Sequence, residues 1–126
     1  MGSFVLSAGY YEAYYVRAQK VRALLTQEFA RAFKKFDVLL GPTMPVLPPK
    51  VGEKVTPLED YLIDINTVAA NLTGLPAISI PCGLVDRLPV GMQVISPMFR
   101  EDLLLSVASI FGSEVGFRSP PLGEAA

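Results

Sequence analysis

The chain has no histidine among its 126 residues, and it has a single cysteine, Cys82. Without imidazole, neither a Ser-His-Asp nor a Cys-His nucleophile can be assembled from this sequence alone. Zinc held by histidine is excluded on the same ground, and one cysteine makes neither a thiolate metal site nor an internal disulfide. The lone thiol fits a reducing, cytoplasmic setting. Excess positive charge is missing too: 11 Lys and Arg stand against 12 Asp and Glu, for a net charge of −1. A nucleic-acid-binding surface carries a basic excess, so the sequence offers no sign of direct contact with RNA or DNA. No apolar run reaches the roughly 18 residues of a membrane span, and Met1 to Ala8 lacks the basic start of a signal peptide. No Gly-rich phosphate loop of the G-x-x-x-x-G-K-[ST] or G-x-G-x-x-G type occurs. Independent catalysis has little to draw on.

What is present is a well-patterned globular sequence, 51% hydrophobic and 18% charged. From Ser7 to about Lys35, apolar residues including Tyr14, Val21, Leu25, Phe29 and Phe33 recur at three- and four-residue steps, which predicts one long helix. Some 28 residues at 1.5 Å each span ~42 Å. A self-contained globule of this length measures about 36 Å across. The helix is as long as the whole molecule, as expected for a piece of something larger. Asp37 to Leu40 reads as a short buried strand ended by Gly41-Pro42, and Thr43 to Val55, with Pro45, Pro48 and Pro49, as a loop.

Thr56-Pro-Leu-Glu59 is a complete helix start, with Thr56 as cap, Pro57 at the first position and Glu59 closing a capping box. Leu58, Tyr61, Leu62, Ile65, Val68 and Leu72 define the apolar face of the helix that follows, up to Gly74. Gly74 suits a left-handed C-cap, and Pro76 prevents the helix from resuming. Ala77 to Ile80 and Pro89 to Ile95 read as strands joined around Asp86-Arg87-Leu88 in a hairpin, although the usual two-residue turn signal is absent. Arg100 to Gly116 is a last amphipathic helix, and Ser119-Pro-Pro-Leu and the tail beyond it are expected to fray. The order predicts an α/β fold, with helices packed on a mixed β-sheet.

The polar stripe Asp60, Asp64, Thr67 and Asn71 flanks that apolar face. It reads either as a solvated helix side or as a carboxylate aimed at a ligand ammonium or an arginine. Cys82, between Pro81 and Gly83, reads as a small buried hydrophobe rather than a nucleophile. Gln93 reads as a hydrogen-bonded structural position, with contact near a site as the other reading. Tyr10, Tyr11, Tyr14 and Tyr15 read as packing residues rather than a base-stacking platform.

The stretch Asn71-Leu-Thr-Gly-Leu-Pro-Ala-Ile-Ser-Ile-Pro-Cys-Gly83 resembles the C-terminal portion of the amidase signature family. Gly41-Pro-Thr43 with Pro45, and Leu88-Pro-Val-Gly-Met-Gln93, resemble segments shared across it. Ser7-Ala-Gly-Tyr-Tyr-Glu-Ala-Tyr-Tyr15 with Ala18-Gln-Lys-Val-Arg22 is similar to the A subunits of the tRNA-dependent amidotransferases, which act on Glu-tRNA(Gln) or Asp-tRNA(Asn). The resemblance covers nearly all of residues 1–126, as one segment of an amidase domain whose N-terminal catalytic part is not among them. It implies a parent that hydrolyses glutamine with a serine nucleophile, a second serine and a lysine. Those residues lie in a Gly-Ser-rich setting that none of the serines here, Ser79 and Ser96 included, possesses. No catalytic residue is carried over and no metal site is implied.

Tyr61, Asp64 and Thr67 match a tyrosine-x-x-aspartate-x-x-threonine setting. The resemblance therefore implies that Asp64 binds the α-amino group of the substrate glutamine. It also implies partner subunits of B and C type, which use ATP and magnesium and engage the charged tRNA, a cytoplasmic location and no membrane. The segment alone is expected to be inactive. A fragment of an amidase acting on small amides, or a non-enzymatic interaction module, are the other readings.

Overall fold

A computed structural model describes residues 14–52 and 56–116. Seven elements follow in order: α1 (Val16–Ala32), β1 (Leu39–Pro42), α2 (Pro57–Ile63), α3 (Ile65–Thr73), β2 (Ala77–Val85), β3 (Leu88–Ile95) and α4 (Glu101–Val115). The predicted long helix is present from Val16, and its earlier part, with Tyr10 and Tyr11, lies outside the described residues, as does the tail from residue 117.

The strands form one sheet in the order β1-β3-β2. Both ladders are antiparallel, so the α/β architecture stands, while the sheet within the described residues is antiparallel rather than mixed. The reason is local: β2 and β3 are joined by a tight hairpin, and β1 enters beside β3 from the opposite direction. Of the two prolines that marked strand ends in the sequence, Pro42 ends its strand as the last residue of β1, and Pro81 does not, lying inside β2. Both strands lie at sheet edges, where a missing N–H breaks no ladder bond. Cys82 is the extra residue of a bulge, since Pro81 pairs with Gly91 and Gly83 with Val90. The hairpin closes on two residues after all. Asp86 (φ 50°) and Arg87 (φ 65°) are both left-handed, as a type I′ turn requires.

Cross-strand partners share a sheet face. Leu40, Val94 and Ile78 stand on one face, where Ile80, Val94 and Leu104 of α4 form the buried core with Val38, Met92, Val107, Ala108 and Phe111 around it. Gly41, Gln93 and Ser79 stand on the other. Helix α3 packs on α1 and borders that second face across a small cavity lined by Phe29, Ala69 and Gln93; at the end of α1 the Phe29 and Phe33 rings stack with centroids 6.4 Å apart. The Pro-rich connection after β1 is irregular up to Gly52.

Candidate functional site

The start of α2 forms as its residues dictate. Thr56 Oγ1 accepts from the Glu59 N–H at 3.2 Å, and the Glu59 carboxylate accepts from the Thr56 N–H at 2.7 Å. The Thr56 N–H on the carboxylate, and after it the Thr56 hydroxyl, hold the Glu59 carboxyl below its ordinary range.

The expected single helix is interrupted at Asp64, the C-cap of α2 and the N-cap of α3 (φ −90°, ψ 2°). Its carbonyl oxygen accepts from the N–H groups of Thr67 and Val68, each at 3.0 Å. It also accepts from the Thr67 hydroxyl at 3.0 Å. The Asp64 carboxylate does not cap α3, and the residue is exposed. The break therefore turns a mid-helix acid into a corner acid, with Thr67 serving its backbone rather than its side chain. Tyr61 is exposed beside it, and Asp60 and Asn71 are exposed as well. The stripe the sequence suggests is split between two helices. At the far end of α3, Gly74 takes the left-handed C-cap (φ 72°, ψ 22°) and returns its N–H to Ala70 at 2.9 Å.

Two residues past Asp64, Asn66 Nδ2 donates to the Pro42 carbonyl at 3.1 Å, which ties α3 to the end of β1. The next residue after that strand, Thr43, donates its N–H to the Gly91 carbonyl at 2.9 Å. Its hydroxyl meets that of Ser79 at 2.6 Å. This pair reaches from the end of β1 to β2 across Gly91 of β3. A Cβ on Gly91 would stand 2.5 Å from Ser79 Oγ and 2.9 Å from Thr43 Oγ1, so only glycine leaves room for the contact. Sequence patterning does not find this group, because it depends on the register that sets Ser79 opposite Gln93. The glycine of Leu88-Pro-Val-Gly-Met-Gln93 was its one visible trace.

Cavities border the region. A small one of about 240 Å³ between α1, α3 and the sheet is lined by Phe29, Ile65, Asn66, Ala69 and Gln93. Gln93 is buried there. An apolar cleft of about 760 Å³ runs between the sheet and the Pro-rich connection, with Ile63, Met44, Val46 and Cys82 among its walls. Cys82 is half-buried and its thiol donates to the Val90 carbonyl at 3.4 Å, consistent with a packing role. Among the described residues no three His, Cys, Asp or Glu side chains gather as a metal site would need, and no helix is long and apolar enough to cross a membrane.

The chain's relatives agree with this architecture. The family profile described as Amidase matches residues 1–105. The chain is 54% identical over 118 residues to the A subunit of glutamyl-tRNA(Gln) amidotransferase from Archaeoglobus fulgidus, covering 94% of this chain and 25% of that protein. It is 48% identical over 126 residues to the A subunit of the same enzyme from a Synechococcus strain, covering 98% of this chain and 25% of that protein. The crystal structure of the Thermotoga maritima A subunit superposes with a TM-score of 0.70 at 50% identity, over 79% of this chain and 22% of that one. A 6-aminohexanoate cyclic dimer hydrolase gives a TM-score of 0.72 at 26% identity, over 90% of this chain and 26% of that one. The chain spans about a quarter of the length of the amidotransferase relatives it matches. With most of its residues matched by the profile, the chain belongs to the amidase family, and its sequence stands near the amidotransferase A subunits.

Proposed function

We propose that this chain forms one wall of the glutamine pocket in a tRNA-dependent amidotransferase A subunit, with Asp64 binding the α-amino group of glutamine. The observation that carries the reading is the helix break. It sets Asp64 at a corner, fixes its backbone through three hydrogen bonds to one carbonyl, and leaves its carboxylate at the surface for a ligand ammonium. A charge-assisted hydrogen bond of that kind is among the strongest a side chain makes. Identity of 50% to the Thermotoga protein, against 26% to the cyclic dimer hydrolase, favours the amidotransferase over an amidase of small amides.

In this reading the serine nucleophile, its serine partner and the lysine base are supplied by the rest of the enzyme. They form and hydrolyse an acyl-serine intermediate and release ammonia. Ammonia passes to a B-type subunit that activates the mischarged tRNA with ATP and magnesium, and a C-type subunit completes the complex. This chain's own contribution is positional: Asn66 anchors α3 to the sheet and Thr67 holds the corner. The test is a chimera in which this chain replaces the matched quarter of the Archaeoglobus fulgidus protein. Asp64→Asn in that chimera raises the KM for glutamine about 10- to 100-fold, the loss of a hydrogen bond to a charged group, with a smaller change in kcat. An unchanged KM overturns the assignment.

A further inference from the structure

Gln93 lies on the middle strand of the sheet and is 6% exposed. A buried carboxamide ordinarily spends its two N–H groups and its oxygen on neighbours. Among the described residues that of Gln93 has no hydrogen-bond partner, so the hydrogen-bonded role that the sequence suggests for it is not met within them. Yet no side-chain nitrogen or oxygen of the described residues is sealed away without a partner. The Gln93 carboxamide therefore opens onto the cavity of about 240 Å³ that it lines between α1, α3 and the sheet.

The backbone leaves that space free. Gly41 is the β1 partner of Gln93, and a Cβ placed on it would meet nothing within 4 Å. Phe29 of α1 and Ile65 and Ala69 of α3 supply apolar walls, with Ile65, 53% exposed, at the mouth. The second polar group is another carboxamide. Asn66 gives one N–H to the Pro42 carbonyl and retains its oxygen and its other N–H. Among the described residues no Lys, Arg, Asp, Glu or Ser lines the cavity.

This set of groups selects its ligand. An ion would shed its hydration without meeting an opposite charge, at a cost above what neutral hydrogen bonds return. A hydrocarbon would leave the carboxamides unmet. A primary amide satisfies both conditions. Its C=O and one N–H match the N–H and C=O of Gln93 in two parallel bonds, and its second N–H remains for the Asn66 oxygen. The space is several times the ~30 Å³ share of one water, yet below the roughly 300–1,000 Å³ of sites for drug-sized molecules. It suits an amide with a short apolar stem.

We propose that this cavity is a binding site for a small neutral primary amide, read by the carboxamides of Gln93 and Asn66. Asp64 is not among its walls, so the site does not rest on the glutamine reading.

The probe is acetamide, titrated into the isotope-labelled chain and followed by NMR. The chain has only five side-chain carboxamides, on Gln19, Gln27, Gln93, Asn66 and Asn71, so each NH2 signal is followed singly. Those of Gln93 and Asn66 are expected to shift and saturate with a half-point of about 1–10 mM, within reach of so small a ligand, while those of Gln19 and Gln27 stay in place. Acetate, equal in shape but charged, is expected to bind about 10-fold more weakly or worse. Gln93→Met, close in volume, weakens acetamide about 10-fold or more. It leaves the thermal midpoint unchanged or higher, because it removes no bond within the chain. Gly41→Val fills the cavity and abolishes the shift. A lowered midpoint in Gln93→Met would reveal a structural hydrogen bond and overturn the proposal. Acetate binding as tightly as acetamide, or shifts spread evenly over all the carboxamides, also overturns it. Should the chain alone not keep its fold, crystals of the chimera soaked in acetamide replace the titration. Acetamide beside Gln93 that is lost in Gln93→Met crystals supports the site, and water alone overturns it.

Discussion

The Thr67 hydroxyl donates to the Asp64 carbonyl oxygen at 3.0 Å, and with the Thr67 and Val68 N–H groups it makes that one oxygen the hinge between α2 and α3. The relationship explains why a threonine follows the aspartate by three residues. The hydroxyl anchors the backbone of the acid and leaves its carboxylate for another partner.

Replacing Thr67 by valine keeps the shape and removes that third bond. Thr67→Val is expected to cost about 1 kcal/mol of stability, read from urea unfolding. In the full-length chimera it raises the KM for glutamine less than Asp64→Asn does, because the carboxylate remains and only its support is lost.

Gly91→Ala places a methyl group against the Thr43 and Ser79 hydroxyls. Overpacking of this kind costs about 1–3 kcal/mol. Ser79→Ala removes the nearer oxygen, so the double variant recovers part of the loss. A double variant with fully additive losses would place the strain elsewhere.

The capping box gives a pH dependence. The folded Glu59 carboxyl titrates below its ordinary range. Its contribution is therefore fully present above the ordinary glutamate range and is lost as pH falls through the depressed value. Exchange of the α2 amides is expected to speed up on acidification through that window. Thr56→Ala removes the cap oxygen at a cost of about 1 kcal/mol and reduces the step without removing it, because the backbone N–H that is the larger cause remains.

Asp86 and Arg87 both occupy left-handed backbone that side chains disfavour. Asp86→Asn with Arg87→Gly supplies the residues a type I′ turn prefers. It is expected to raise stability by about 1 kcal/mol, measured as an upward shift of the thermal midpoint.

Local signals carried much of the fold. The capping box at Thr56, the left-handed cap at Gly74, both hairpin strands and the final helix were legible because each is set by neighbours in the sequence. Features that depend on what lies beside an element were not. Strand β2 runs through Pro81 because it is an edge, a fact of sheet order. The Leu58 to Leu72 pattern was legible as apolar, but its division between two helices was not, since periodicity shows a spacing and not a break. Asp64 was singled out by resemblance, whereas the break that makes it a corner became visible only through the hydrogen bonds on its carbonyl. The Thr43, Ser79 and Gly91 group needed the register of three strands.

The most direct measurement is ammonia release from glutamine by three preparations: this chain alone, the full-length chimera, and the chimera carrying Asp64→Asn. The account predicts no release from the chain alone, release by the chimera, and a roughly 10- to 100-fold higher KM for the variant. Glutamine hydrolysis by the chain alone, or an unaltered KM in the variant, would contradict it.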